Sequence, residues 1–473
     1  MRKTTLAAFA LGGLVSSLAL TACDLEVPDL NNPSLSDLEN NPTAITLGAA
    51  CTGLLIGNRR NHAAENGYMM QIGILGREAY NFDAADPRYV SELLTGKRLN
   101  QGSPFGGNFW ALPYSNIQLG HIVIHALDKI ASTEITDEQK TAIKGFTHTL
   151  QALDLFEVIS THDTNGAVID TDRDPLGPLA PIVDRPTAYA KIVQLIDQGY
   201  TELLAGGGSF PFALSAGFAG FDTPATFAQF NRAMKARIAI YQPTPDYAAV
   251  LDALQPKVSF LDDSVPATID FDLGVYFAYS TKPGDTANAL INPNIYVHPD
   301  VLAKVQKDTS QNTDARLLRK TALAANASRR GTTAKFTKLY STPETRVAQI
   351  RQEELLLLKA EALWFTGMKP QALAELNIVR TGSGHLEAIA TLPATDADFV
   401  SALLYEREYS LLFEGHRWFD ARRLNRLDLL PIFITVDPDT QKMTPDTLDV
   451  RYPLPLGECN ARPGEPACAL SST

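Results

Sequence analysis

RQEELLLLKAEALWFTGMKPQALAELNIVR, from Arg351 to Arg380, decides how the rest of this chain is read. Its first half consists almost entirely of strong helix formers, and Gly367 follows where a left-handed residue commonly closes a helix. Pro370 then sits in the first turn of a second helix, the one helical place that tolerates proline. Leu355, Leu356, Leu357 and Leu358 point in four directions at about 100° per step, so the first helix must be packed on several sides. Ala372, Leu373, Leu376 and Val379 make a single stripe on the second helix, suited to lying against the first. The pair predicts an antiparallel helical hairpin, the unit from which tetratricopeptide-like solenoids are stacked.

Other hairpins are predicted on both sides of it. Helical patterns cover 40–57, 61–75, 117–130, 137–159, 187–204, 227–241, 247–254, 396–415 and 418–427, with no strict repeat length. The helical signal fails in two long stretches rich in Gly, Pro, Asn and Asp, at about 77–116 and 256–299. These stretches carry many of the aromatic residues, among them Tyr80, Phe82, Trp110, Tyr276, Tyr279 and Tyr296. The expected fold class is therefore mainly α, a helical-hairpin solenoid with long irregular insertions.

At the N-terminus, Arg2 and Lys3 precede an uncharged apolar run to Leu20, followed by Leu20-Thr21-Ala22-Cys23. This reads as a secretory signal over 1–22, too short to span a bilayer, with a lipoprotein processing box that makes Cys23 the lipidated first residue. Polar, turn-rich 23–39 reads as a tether, and 40–473 as one folded domain. The formal charge is −12. Losing Arg2 and Lys3 leaves −14 for the mature chain, which argues against nucleic acid as a partner. Cys51 lies in an apolar helix and is expected to be a buried inert thiol. Cys459 and Cys468 remain, and in an oxidising compartment they are expected to pair.

The residues also carry a family resemblance. The chain resembles the SusD/RagB family of outer-membrane nutrient-binding lipoproteins along nearly its whole length. The matching pieces are the box at Cys23 followed by Asn32-Pro33, the segment Trp110 to Tyr114, KARIAIY from Lys235, HPDVLAKV from His298 and DARL from Asp314. More specific are IRQEELLLLKAEAL from Ile350, Leu376 to Arg380, and YEREYSLLFEGHRWFDARRL from Tyr405. YPLPLGECN from Tyr452 resembles the family's proline-rich close but runs on into a cysteine-bounded loop without a match. The resemblance implies a helical scaffold whose looped face caps a TonB-dependent, SusC-like barrel. It implies capture of oligosaccharides, in some members peptides, at the outer surface, with no catalysis and no cofactor.

Sugar recognition needs flat aromatic faces beside polar groups. Tyr80, Phe82, Tyr276 and Tyr279, in the two insertions, are the candidate ligand-binding residues. A packed core is the ordinary role of any single aromatic, and no ligand residue carries over from the family by position. The alternatives are a helical-repeat scaffold, a peptide-binding envelope protein, or more remotely a glycoside hydrolase. For the last, Glu354 and Glu361 stand seven residues apart on one helix face, about 10.5 Å along the axis. That separation suits neither geometry of hydrolytic carboxylate pair. Both are expected to pair with Arg351 or Lys359 or to face neighbouring helices. Asp163, Asn165, Asp170, Asp172 and Asp174 could hold calcium, but their spacing fits no EF-hand, so no metal is assigned. Arg417 and Asp420 are expected to pair across one helical turn, with Trp418 buried.

Overall fold

The structure is a computed structural model, and it describes residues 35–95, 99–174, 176–324, 329–436 and 443–470. Residues 1–22 and Cys23 lie outside the described residues, as does most of the expected tether. Its last part is helical: α1, Leu35–Asn40, buries Leu38.

The N-terminal helices are α2 (Ala44–Arg59), α3 (Tyr68–Leu75), α4 (Arg88–Ser91), α5 (Ala111–Leu127), α6 (Asp137–His162), α7 (Arg185–Leu204), α8 (Pro224–Tyr241) and α9 (Tyr247–Ala253). Two short helices, α10 (Pro299–Ala303) and α11 (Ala315–Lys320), lead to α12 (Gln352–Phe365), α13 (Lys369–Gly382), α14 (Asp396–Ser410) and α15 (Arg417–Arg423). Local signals set the starts. Thr136 and Gln139 cap α6 reciprocally, as do Thr223 and Thr226 on α8 and Thr395 and Asp398 on α14. Side chains of Asp184 and Asp246 cap α7 and α9.

Most of the expected helices form within a few residues of the predicted bounds. Two differ more. The helix expected from 61 begins only at Tyr68, because Asn61 turns the chain at φ +68° and its carbonyl accepts from Tyr68 N at 2.9 Å. The one expected to reach 415 stops at Ser410, three residues before Phe413 at φ +58°.

Helices pack in succession, α5 on α6, α6 on α7, α7 on α8, α8 on α9, and α9 on α12. Closest approach between α6 and α7 needs two glycines. A Cβ on Gly145 would stand 2.7 Å from the Gly199 carbonyl oxygen, and one on Gly199 would stand 2.8 Å from Thr149 Oγ1. Helix α12 is walled by α8, α9, α13 and α14, and Leu355 to Leu358 are each 0% exposed. That is the all-round burial its sequence demands. Gly367 follows α12 at φ +88°, and Trp364 stacks on Phe399 of α14 at 4.1 Å.

The charges around this hairpin are matched across elements rather than along α12. Glu354 pairs with Arg237 of α8 (Nε to Oε1, 2.7 Å) and Glu361 with Arg423 of α15 (Nη2 to Oε2, 2.8 Å). Arg351 meets Glu353 and Glu414, and Lys359 meets Asp263 and Glu375. Both glutamates thus face neighbouring helices, and neither takes Arg351 or Lys359. The expected Arg417–Asp420 pair also does not form. Arg417 meets Glu408, while Asp420 accepts from Arg407 Nε at 2.7 Å and from Arg423 Nε at 2.9 Å. Trp418 is fully buried, its indole N–H donating to the Asp449 carbonyl at 2.8 Å.

Short strands tie the irregular stretches together. β1 (Ala79–Asn81) pairs antiparallel with β5 (Ile295–Val297), setting Tyr80 opposite Tyr296 and so joining the two insertions. Between them, β2 (Ala167–Val168) pairs with β3 (Ile182–Val183). β4 (Gly274–Phe277) pairs antiparallel with β8 (Val347–Arg351), which feeds directly into α12. The intervening β6 (Ala322–Leu323) pairs with β7 (Ala334–Lys335), and β9 (Ile434–Val436) with β10 (Met443–Pro445). Near the C-terminus Cys459 and Cys468 are bonded, and Cys51 is a buried free thiol.

Candidate functional site

The β4–β8 pair builds the wall of an open cleft of about 460 Å³. Tyr276 stands opposite Ala348, whose small side chain leaves room beside the ring. Arg346 immediately precedes β8, and its guanidinium lies 3.7 Å from the ring centroid. Arg346 is exposed, and among the described residues its N–H groups have no hydrogen-bond or ion-pair partner. Phe271 continues the wall, held by close packing against Gly382 at the end of α13. Asp270, Asp272 and Lys338 stand exposed on the rim.

A buried ionic network forms the floor. Lys320 Nζ donates to Glu414 Oε1 at 2.7 Å, Arg351 Nε to Glu414 Oε2 at 3.0 Å, and Ser410 Oγ to Glu353 Oε1 at 2.6 Å. Burial alone would raise the Glu353 carboxyl, but Arg351, Arg316 and Lys320 outweigh it and hold the group down at about 2. Burial likewise acts to raise Glu414, yet Arg351 and Lys320 leave it lowered. Burial lowers Lys320 despite Glu414, and it pushes the Tyr276 hydroxyl up to about 12. The floor is thus a fixed pattern of opposite charges, and the cleft above it offers hydrogen-bond donors and acceptors around an aromatic wall. It can hold a polyhydroxylated molecule.

The four aromatic candidates do not converge. Tyr276 lines the cleft but is itself buried, with Arg346 over its ring and its hydroxyl donating to the Asp272 carbonyl. Tyr80 is 0% exposed, its hydroxyl 2.8 Å from His298 Nε2 and its ring flanked by Phe82 and Arg330, so it presents no face to a ligand. Phe82 is half-buried against Tyr296 at 5.8 Å. Tyr279 is buried with Arg59 over its ring at 5.2 Å. The acidic loop does not converge either. Asp163 meets Arg185, Asp170 meets Arg173, and Asp172 meets His125. Among the described residues no three His, Cys, Asp or Glu side chains are placed to hold a metal. Sequence reasoning missed Arg346 and the rim aspartates, and placed Phe271 in the second aromatic insertion without singling it out. No local signal marks Arg346, which precedes β8, and the partner of β8 lies some seventy residues upstream.

Residues 288–453 match the model of the SusD family. A SusD-like protein of Formosa agariphila is 31% identical over 103 residues, 20% of this chain and 20% of that protein. The chain therefore spans about a fifth of the length of this curated relative in the match. The fold extends the likeness much further. A SusD-like carbohydrate-binding protein from Bacteroides fragilis aligns over 91% of this chain and 100% of its own, with TM-score 0.70 and 16% identity. The fold is SusD-like. A SusD superfamily protein from Bacteroides vulgatus aligns over 90% of this chain and 99% of its own, with TM-score 0.67 and 17% identity. A laminarin-binding SusD-like protein covers 81% of this chain and 92% of its own, with TM-score 0.59 and 15% identity. The SusD-like match in sequence includes the Arg351–Arg380 hairpin and the Tyr405–Leu424 motif. The segments at Trp110 and Lys235 lie outside it.

Proposed function

We propose that this SusD-like chain is a cell-surface substrate-binding lipoprotein of the outer membrane. In this reading it is anchored through Cys23, captures oligosaccharides without catalysis and delivers them to a SusC-like TonB-dependent transporter. The observation that carries the reading is the cleft at Tyr276, where an exposed arginine lies over an aromatic ring beside exposed carboxylates and a lysine. Sugars offer an apolar C–H face and a ring of hydroxyls, and the exposed face of Arg346 with Phe271, Asp270 and Asp272 suits both. The laminarin-binding and carbohydrate-binding relatives, similar in fold, support the same ligand class.

Arg346→Ala separates binding from folding because the side chain is exposed. Calorimetric titration against an oligosaccharide panel, with peptides alongside, is expected to find a glycan whose affinity falls about tenfold in the variant, while the melting temperature stays put. Absence of any glycan binding, or binding untouched by Arg346→Ala, rules out this site. Cys23→Ser is expected to release the protein from membranes; retention would refute the anchor.

A further inference from the structure

The Tyr276 cleft bears more positive charge than its own carboxylates neutralise. Its floor is balanced, with Lys320 and Arg351 set against Glu353 and Glu414. The rim is not. Arg319, Lys338 and Arg346 line the cleft as exposed cations, and none of the three meets a carboxylate among the described residues. Neutral groups hold the first two in place. Arg319 Nη1 donates to the Ser383 carbonyl at 2.8 Å and Nη2 to the Ser383 hydroxyl at 2.9 Å, while Lys338 Nζ donates to the Leu318 carbonyl at 2.7 Å. Arg346 lies over the Tyr276 ring. The rim carboxylates turn to other partners, Asp272 standing 3.9 Å from Arg351 and Asp270 accepting from the Asp272 backbone N–H at 3.0 Å. This excess of cations is local, since the whole chain carries a formal charge of −12.

Building on the reading that this cleft captures glycans, we infer that the oligosaccharide it takes is anionic, with carboxylate or sulfate groups on its sugars. The anionic groups accept from Arg319, Lys338 and Arg346, hydroxyls donate to Asp270 and Asp272, and a sugar C–H face lies on Phe271. A hydroxyl that meets a lysine or arginine replaces a water that served nearly as well. A carboxylate or sulfate adds charge attraction, which is stronger in a cleft than in open water. Arg319 belongs to α11 and Lys338 is tied to it, whereas Arg346 stands at the start of β8. The cations thus come from separate elements, so more than one charged sugar of a chain can be engaged.

The probes are tetragalacturonate and its full methyl ester, which share sugars and linkages and differ in charge, with a sulfated galactan tetrasaccharide and its desulfated form as a second pair. Each is titrated calorimetrically into the purified full chain at equal ionic strength. At least one charged member is expected to bind about tenfold or more tightly than its neutral match, and the pair that separates identifies the anionic group. Lys338→Gln is expected to lower that preference about threefold to fivefold and Asp270→Asn to raise it, because a cation and a carboxylate on one rim act with opposite sign. Both residues are exposed, so the melting temperature is expected to stay put in either variant. Equal binding of a charged probe and its neutral match, lost in Arg346→Ala, overturns the charge selection and leaves glycan capture at the cleft standing. A preference that neither Lys338→Gln nor Asp270→Asn moves overturns the assignment to this rim. Binding of a neutral panel glycan with none of the four probes bound does the same, and no binding of any glycan defeats both readings.

Discussion

Asp154 illustrates how one buried group writes itself into the pH response. It lies in the core of α6, where Asn58 Nδ2 and Asn116 Nδ2 donate to its two oxygens at 2.8 and 2.7 Å. Burial is the larger influence and lifts the carboxyl from 3.8 to about 7 against those two hydrogen bonds. The folded state therefore keeps a proton that the unfolded chain releases, and this group's contribution to stability falls as pH rises from about 4 to about 7. Nearby groups act as well. Burial raises Glu157 in the same sense, and it lowers His62 to about 4, which makes stability rise with pH between about 4 and 6.5. The difference between wild type and Asp154→Asn removes this group together with its repulsive push on Glu157. Melting curves across that interval are expected to lose part of the decline with pH in the variant; parallel curves would refute the assignment.

At the scale of elements, the α12–α13 hairpin turns on a single backbone state. Gly367 adopts φ +88°, and a Cβ there would meet nothing within 4 Å, so a side chain is opposed by backbone strain alone. Gly367→Ala is expected to cost about 1 kcal/mol, measured by chemical denaturation with an unchanged m-value. A stabilised variant would mean that the turn has relaxed out of the left-handed region. The same hairpin explains why density of pattern was a poor guide to function. Glu354 and Glu361 lie on one helix face, yet each is the buried partner of an arginine on a different element. Their role is to lock α12 to α8 and α15.

Across the whole molecule, Arg351 is the junction. It ends β8, starts α12, and meets Glu353 and Glu414, while Lys320 of α11 reaches the same Glu414. Arg316 joins through Asp314 and Glu406, and Arg380 of α13 through Glu406. Removing a single member leaves opposite charges buried without compensation. Arg351→Met is expected to lower unfolding free energy by about 3 to 5 kcal/mol, read from the denaturant midpoint. A loss below about 1 kcal/mol would mean that water reaches Glu353 and Glu414 and that the network is not closed.

Sequence alone determined the helices, because amphipathic spacing, caps and helix-closing glycines act within a few residues of where they stand. It also determined the Leu355–Leu358 spine, since four consecutive leucines can be buried only by neighbours on every side, and the family resemblance, since long motifs are local strings. Pairing across distance was decided by the tertiary structure. Arg346 came to lie on Tyr276 only because β4 meets β8 in one register, Tyr80 was sealed against His298 by pairing of β1 with β5, and Asp420 took Arg407 and Arg423 in place of Arg417. Such contacts depend on which elements the core brings side by side. No periodicity or spacing within either partner encodes them, so the proposed binding surface, made of loop residues, was legible as composition and not as geometry.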